Sequence, residues 1–193
     1  MTIKISVRSD TLNLTDEIKP AAEAVKHGKL VIFPTETVYG IAARADMPSA
    51  VQKIYIAKDR PIDKPFAYHV GSWEMIFRIT GEIPKEISEL LRRHLPGAYT
   101  FLLNINGVKT GIRFPKCHVA QTFLNECNCP VMATSANISN EPSPTNIDMT
   151  AAIQKSAAYL IDAGPTPEKG ESTVVDLTTR PPTVVRHGSG KWL

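Results

Sequence analysis

The amino-acid sequence predicts a mixed α/β fold, a twisted sheet of about six to eight strands flanked by helices. Short apolar runs alternate with helical patterns along the whole chain. The 193 residues are 42% hydrophobic and 21% charged, enough to bury one substantial core, so residues 1–193 are read as a single domain. Neither a GxxxxGK[ST] loop nor a GxGxxG turn after a strand is present, which disfavours the two commonest nucleotide folds.

Each element has a local reason. Ile3, Ile5 and Val7 alternate with polar residues, the period of a strand with one buried face. Ile18, Ala21, Ala22 and Val25 recur at helical spacing, with Pro20 suited to a first turn and Gly28 to a stop. Leu30 to Phe33 is a continuous apolar run ended by Pro34, as expected of a strand buried on both faces. Val51, Ile54 and Tyr55 mark a helix, Phe66 to Val70 a strand, and Ile87, Leu90, Leu91 and His94 a helix closed by Pro96 and Gly97. Tyr99 to Ile105 and Gly111 to Phe114 read as strands paired through the Asn106-Gly107 turn. Val119 to Cys127 reads as a helix, Val131 to Ala133 as a strand and Met149 to Lys155 as a helix. Late strands are expected at Tyr159 to Ile161, Thr173 to Leu177 and Val184 to Arg186.

Bulk properties exclude several function classes. The net charge is +3, from 22 Lys and Arg against 19 Asp and Glu, so no global basic signature announces a nucleic-acid binder. The three cysteines are too few and too odd in number for a disulfide framework and suit a reducing compartment. Cys117, His118, Cys127 and Cys129 supply four donor groups, but not in a zinc-finger spacing, and are read as ordinary thiols with no metal site. The opening residues lack the apolar core of a signal peptide, and no apolar run is long enough to span a bilayer. A cytoplasmic protein is expected.

Four polar clusters interrupt the apolar elements where strands should end, which is where α/β proteins place ligands. They are residues 34–40 (PTETVYG), 58–65 (KDRPIDKP), 133–137 (ATSAN) and 171–174 (ESTV). Taken singly, each has an ordinary explanation. The first suits a hydroxyl-rich turn capping its own backbone, the second a solvated basic loop, and the third an N-cap with a turn residue. His69, ending an apolar run, also reads as a core histidine.

Their order in one chain carries more. PTETVYG after an apolar strand, then KxR, PGxxT, GIRFP, TSAN, ESTVVDL and VVRHG resemble the YrdC/Sua5 family of threonylcarbamoyl-adenylate synthases, over about residues 19–188. The resemblance implies a concave sheet with a positively charged cavity, related to the dihydroxybutanone phosphate synthase architecture. It implies a nucleotidyltransferase that joins L-threonine, bicarbonate and ATP into threonylcarbamoyl-AMP, with Mg²⁺ accompanying ATP. The product would serve tRNA modification through a separate threonylcarbamoyl transferase, and direct contact with tRNA or double-stranded RNA stays open.

Lys58, Arg60 and Lys64 are three cations on a loop stiffened by Pro61 and Pro65, and suit phosphate. By alignment with the family motifs, Lys58 and Arg60 are the catalytic cations. Arg60, Lys64, Ser135, Asn137, Ser143 and Arg186 form the ATP site, and Thr37, His69, Arg113 and Ser172 the threonine side. Arg113 suits a bidentate grip on a carboxylate, and His69 a hydrogen-bonding positioner. Glu36 and Glu171 have no obvious acid-base role, and a structural or Mg²⁺-linked role stays open for both. The competing readings are a YrdC-like RNA-binding module without synthase activity, and a nucleotide-dependent transferase acting on another amine or carbamoyl donor.

Overall fold

The first helix, α1, spans Leu14–Lys26 and is built on one apolar stripe of Leu14, Ile18, Ala21, Ala22 and Val25, all buried. Pro20 therefore lies inside the helix, not in the first turn as expected from its position before Ala21. Buried Leu14 and Ile18 extend the stripe towards the N-terminus, and Asp16 simply lacks the amide donor that residue 20 would have supplied. At the other end Gly28 takes φ +70°, the left-handed region that ends the helix. The structure, a computed structural model, describes residues 1–193 except Ser9, Thr11, Asp63, Lys64, Lys169 and Leu193.

Among the described residues the remaining helices are α2 (Pro48–Lys58), α3 (Trp73–Thr80), α4 (Lys85–His94), α5 (His118–Cys127) and α6 (Ala151–Gln154). The sequence reading lacked α3, whose start is marked by Ser72 accepting from the Met75 amide at 3.3 Å. The strands are β1 (Ile3–Ser6), β2 (Leu30–Phe33), β3 (Gly40–Arg44), β4 (Ala67–His69), β5 (Tyr99–Ile105), β6 (Val108–Arg113), β7 (Val131–Ser135), β8 (Ala157–Asp162), β9 (Thr173–Asp176) and β10 (Thr183–Arg186).

These ten strands make one mixed sheet in the order β1-β8-β2-β3-β7-β4-β6-β5-β9-β10, more than the six to eight expected. Strand β3 was missed because Ile41 to Ala43 neither alternates nor forms a long run. The β5–β6 hairpin is as expected, with Asn106 and Gly107 both at positive φ, 52° and 83°.

The two halves of the sheet are covered differently, and the difference makes the site. On β2, Val31 and Phe33 pack under α1 and α5, while Leu30 and Ile32 pack against α2 and α6, so both faces are buried. On β5, β6 and β9, residues Phe101, Leu103, Ile112 and Val175 pack against α3 and α4. Their alternate neighbours Thr100, Leu102, Gly111, Arg113 and Val174 line an open concavity instead.

Candidate functional site

Strand register assembles the floor of this concavity. His69 on β4 pairs with Arg113 on β6, Arg113 with Thr100 on β5, and Thr100 with Val174 on β9. Paired residues point to the same face, so three polar side chains from separate strands meet in one row. The floor is deep beside Ala67 because Gly111 has no side chain: a Cβ there would stand 2.9 Å from the Ala67 Cβ. The resulting cavity has a volume of about 370 Å³.

Seven of the expected site residues line it: Thr37, Arg60, His69, Arg113, Ser135, Ser172 and Arg186. Lys64 lies outside the described residues. Arg60 follows α2, and its guanidinium stands over the Phe66 ring at 5.3 Å from the centroid. Ser135 ends β7 and Arg186 ends β10.

Lys58 and Asn137 sit one layer back and do not line the cavity. The Lys58 side chain is buried, and its ammonium donates to the carbonyl oxygens of Ser135 (2.5 Å) and Asn137 (2.6 Å) and to Asn137 Oδ1 (3.0 Å). Where a direct phosphate contact was expected of Lys58, the structure instead has its three N–H groups holding the 135–137 loop. Burial, reinforced by Arg60 and opposed by Glu171, lowers its pKa to about 8. The Asn137 amide is likewise committed, since Nδ2 donates to Glu141 O at 2.6 Å.

At the opposite wall Glu171 joins two of the expected nucleotide residues, Arg186, which lines the cavity, and Ser143, which does not. Ser143 Oγ donates to Glu171 Oε1, and Arg186 Nη1 pairs with Glu171 Oε2. Arg186 also donates from Nη2 (2.9 Å) and Nε (3.2 Å) to Ser172 O. Ser172 Oγ lies 2.9 Å from Thr100 Oγ1. Sequence reading left Glu171 with only an open structural or Mg²⁺-linked role and gave Thr100 none; a carboxylate bridging positions 143 and 186 has no signature in a linear motif.

The threonine side expected from the motifs is drawn together around Arg113, which is 2% exposed. Its Nη1 donates to Gly97 O and to Tyr99 O (3.1 Å), and its Nη2 to Glu36 Oε1 (2.7 Å) and Thr37 Oγ1 (3.2 Å). Both terminal nitrogens are occupied, so the bidentate grip expected of Arg113 is not available while these contacts stand. Burial lowers the Arg113 pKa, with Glu36 opposing. His69 keeps some exposure, yet burial and the neighbouring Arg113 push its pKa down to about 3, leaving a neutral ring whose Nδ1 lies 3.1 Å from Ala67 O.

The PTET turn serves two purposes. Thr35 Oγ1 donates to Val38 O at 2.6 Å and accepts from the amides of Thr37 and Val38, the self-capping turn that composition alone allows. That turn in turn aims Thr37 into the cavity. Lys109, also on the wall and paired with Asp176 at 2.8 Å, was not anticipated. The period of two along Lys109, Gly111 and Arg113 is the signal that finds it.

Residues 23–188 match the family model Sua5_yciO_yrdC, described as "Telomere recombination". The chain belongs to this Sua5/YciO/YrdC family. It is 39% identical to a threonylcarbamoyl-AMP synthase of Pyrococcus abyssi, a match covering 97% of this chain and 58% of that protein. A threonylcarbamoyl-AMP synthase of Bacillus subtilis is 36% identical, with 93% of this chain and 56% of that protein covered. The crystal structure of P. abyssi Sua5 complexed with L-threonine superposes with a TM-score of 0.87 at 37% identity, covering 97% of this chain and 57% of that one. The chain therefore spans a little over half the length of these Sua5-type relatives. Among its own described residues, no helix is long and apolar enough to cross a membrane.

Proposed function

We propose that the cavity binds ATP and L-threonine side by side and forms threonylcarbamoyl-AMP from them and bicarbonate, releasing pyrophosphate. One observation carries the reading: Arg60, Ser135 and Arg186, the phosphate-side residues, share a single cavity with Thr37, His69, Arg113 and Ser172, the threonine-side residues. The relatives named as threonylcarbamoyl-AMP synthases and the threonine complex of P. abyssi Sua5 support the same assignment.

The chemistry fits what these groups offer. The threonine amine adds to bicarbonate with loss of water, giving a carbamate. A carbamate oxygen then attacks the α-phosphorus of ATP, and the bond from that phosphorus to the pyrophosphate oxygen breaks. The carbamate is already nucleophilic, so the protein has chiefly to align the reactants and neutralise charge. Arg60 and Arg186 suit the phosphates, and Arg113 the threonine carboxylate, which would have to displace or supplement one of its present contacts. Neutral His69 and the hydroxyls of Thr37 and Ser172 suit the placement of a small polar amino acid.

Four cations and one carboxylate line the cavity, but Arg113, Arg186 and Lys109 face Glu36, Glu171 and Asp176. The positive excess is therefore smaller than the count. Both Glu171 oxygens are taken by Ser143 and Arg186, and no group of three or more His, Cys, Asp or Glu among the described residues is placed for a metal. Mg²⁺ would enter with the phosphates of ATP, and no step is derived through it. As a nucleotidyltransferase making an activated intermediate, the protein would hand its product to a transferase acting on tRNA, a role that suits the cytoplasm.

The test is pyrophosphate release from ATP with threonine or bicarbonate omitted in turn. Turnover should require both. Equal turnover without threonine would remove the substrate assignment, and salt-sensitive RNA binding without turnover would favour an RNA-binding role for the same concavity.

A further inference from the structure

We infer that Glu36 is a positioning residue for Arg113, setting how that cation meets the substrate carboxylate without itself touching substrate; the inference rests on the reading of the cavity proposed above. Glu36 and Arg113 are 3% and 2% exposed and form an ion pair of 2.7 Å. Glu36 does not line the main cavity. It borders a second one, of about 280 Å³, with Thr35, Lys116, Cys117 and His118, so the pair forms part of the wall between the two.

Three features make this more than a structural ion pair. First, the protein grips Arg113 from several directions: Gly97 O and Tyr99 O hold Nη1, and Glu36 Oε1 and Thr37 Oγ1 hold Nη2. A planar fork held at both terminal nitrogens offers its remaining surface to the cavity in one orientation.

Second, the backbone carrying Glu36 is itself anchored. The Glu168 amide donates to Glu36 O at 2.9 Å, and Thr166 Oγ1 donates to Thr37 O at 2.8 Å. Together with the Thr35 turn, these bonds fix the carboxylate's origin.

Third, Glu36 Oε2 is buried with no hydrogen-bond partner among the described residues. A pair optimised for stability would use both oxygens on the guanidinium. Here only Oε1 is used, so Oε2 adds charge without a directional bond, and the orienting contact rests on Oε1 alone. Removing the charge while keeping the acceptor, and keeping the charge while withdrawing its reach, should therefore behave differently.

The experiment measures pyrophosphate release by the full chain, varying threonine and ATP in turn, for wild type, E36Q, E36D and E36A. E36D and E36A should raise the KM for threonine about tenfold or more, with kcat and the KM for ATP within about threefold of wild type. E36Q, which retains an acceptor for Nη2, should keep its threonine KM within about threefold. An unchanged threonine KM in E36D, or equal rises for both substrates, overturns the proposal. If E36A fails to melt cooperatively, E36D and E36Q carry the comparison.

A second readout needs no turnover. In ¹⁵N spectra, wild type and E36Q should show hindered rotation of the Arg113 guanidinium, and E36D should show it released. Free rotation in wild type, or no change in E36D, also overturns the proposal. Should wild type turn over without threonine, the reading of the cavity fails, and the spectra alone decide whether Glu36 orients Arg113.

Discussion

Lys58 Nζ lies 2.5 Å from the carbonyl oxygen of Ser135, tying the end of α2 to the end of β7 from beneath the cavity. The same ammonium reaches Asn137 O and Oδ1. A lysine expected in a basic loop thus ends α2 and acts as the keystone of a neighbouring loop.

Replacing Lys58 by Met keeps the stem but leaves these acceptors without their donor. Each buried acceptor so stranded costs about 1–3 kcal/mol, and the urea midpoint should fall accordingly. Nucleotide affinity should fall with it, because Ser135 loses its support. Lys58→Arg should not restore the wild-type midpoint, since a planar fork cannot match three convergent oxygens.

Arg60→Ala should reduce kcat/KM for ATP in pyrophosphate release at least about tenfold, equivalent to about 1.4 kcal/mol of lost phosphate contact. Unchanged turnover would remove Arg60 from the phosphate site.

Glu171 occupies Arg186 and Ser143, so Glu171→Gln should tighten ATP binding severalfold at low salt. The gain should shrink at high salt, where charge is screened. Calorimetric titration at two ionic strengths checks this. Stability should change by less than about 1 kcal/mol, because the Arg186 and Glu171 side chains are 45% and 33% exposed.

His69 carries the pH dependence with the clearest sign. Its folded pKa of about 3 lies below the ordinary imidazole value of 6.5, so between those values the unfolded chain binds a proton that the folded protein does not. Stability from this group is present above about pH 6.5 and declines as pH falls towards 3, with a slope of up to about 1.4 kcal/mol per pH unit. His69→Gln should remove that contribution, visible as a shallower loss of urea midpoint between about pH 6 and 4.

Gly111→Ala would set a Cβ 2.9 Å from the Ala67 Cβ and 3.3 Å from its Cα, on the cavity floor. The strands β4 and β6 must then move apart, at a cost of about 1–3 kcal/mol. Thermal melts should report the loss, and turnover should fall because Arg113 lies two residues along the same strand.

Much of the architecture was legible from residue order. Apolar period and turn chemistry located β2, the β5–β6 hairpin, α4 and α5, because these depend on a residue's own neighbours. Pro20 misled the reading because local helix rules favour proline in a first turn, whereas buried Leu14 and Ile18 pull the helix start further back. Strand β3 escaped because Ile41 to Ala43 shows no clear period, whereas α3 carries a helical signal in Trp73, Ile76 and Phe77 that the sequence reading passed over.

By itself the sequence determined the α/β class and nominated the polar clusters that line the cavity, since hydroxyls, cations and stiffening prolines at strand ends can be read one segment at a time. Only the tertiary structure decided which members face the cavity and which support it. Lys58 and Asn137 turned inward, and Glu36 met Arg113 across 77 positions of chain. Whether a charged group faces solvent, a ligand or another charge depends on what folding brings against it. That partner comes from a distant strand, so no local pattern encodes the choice.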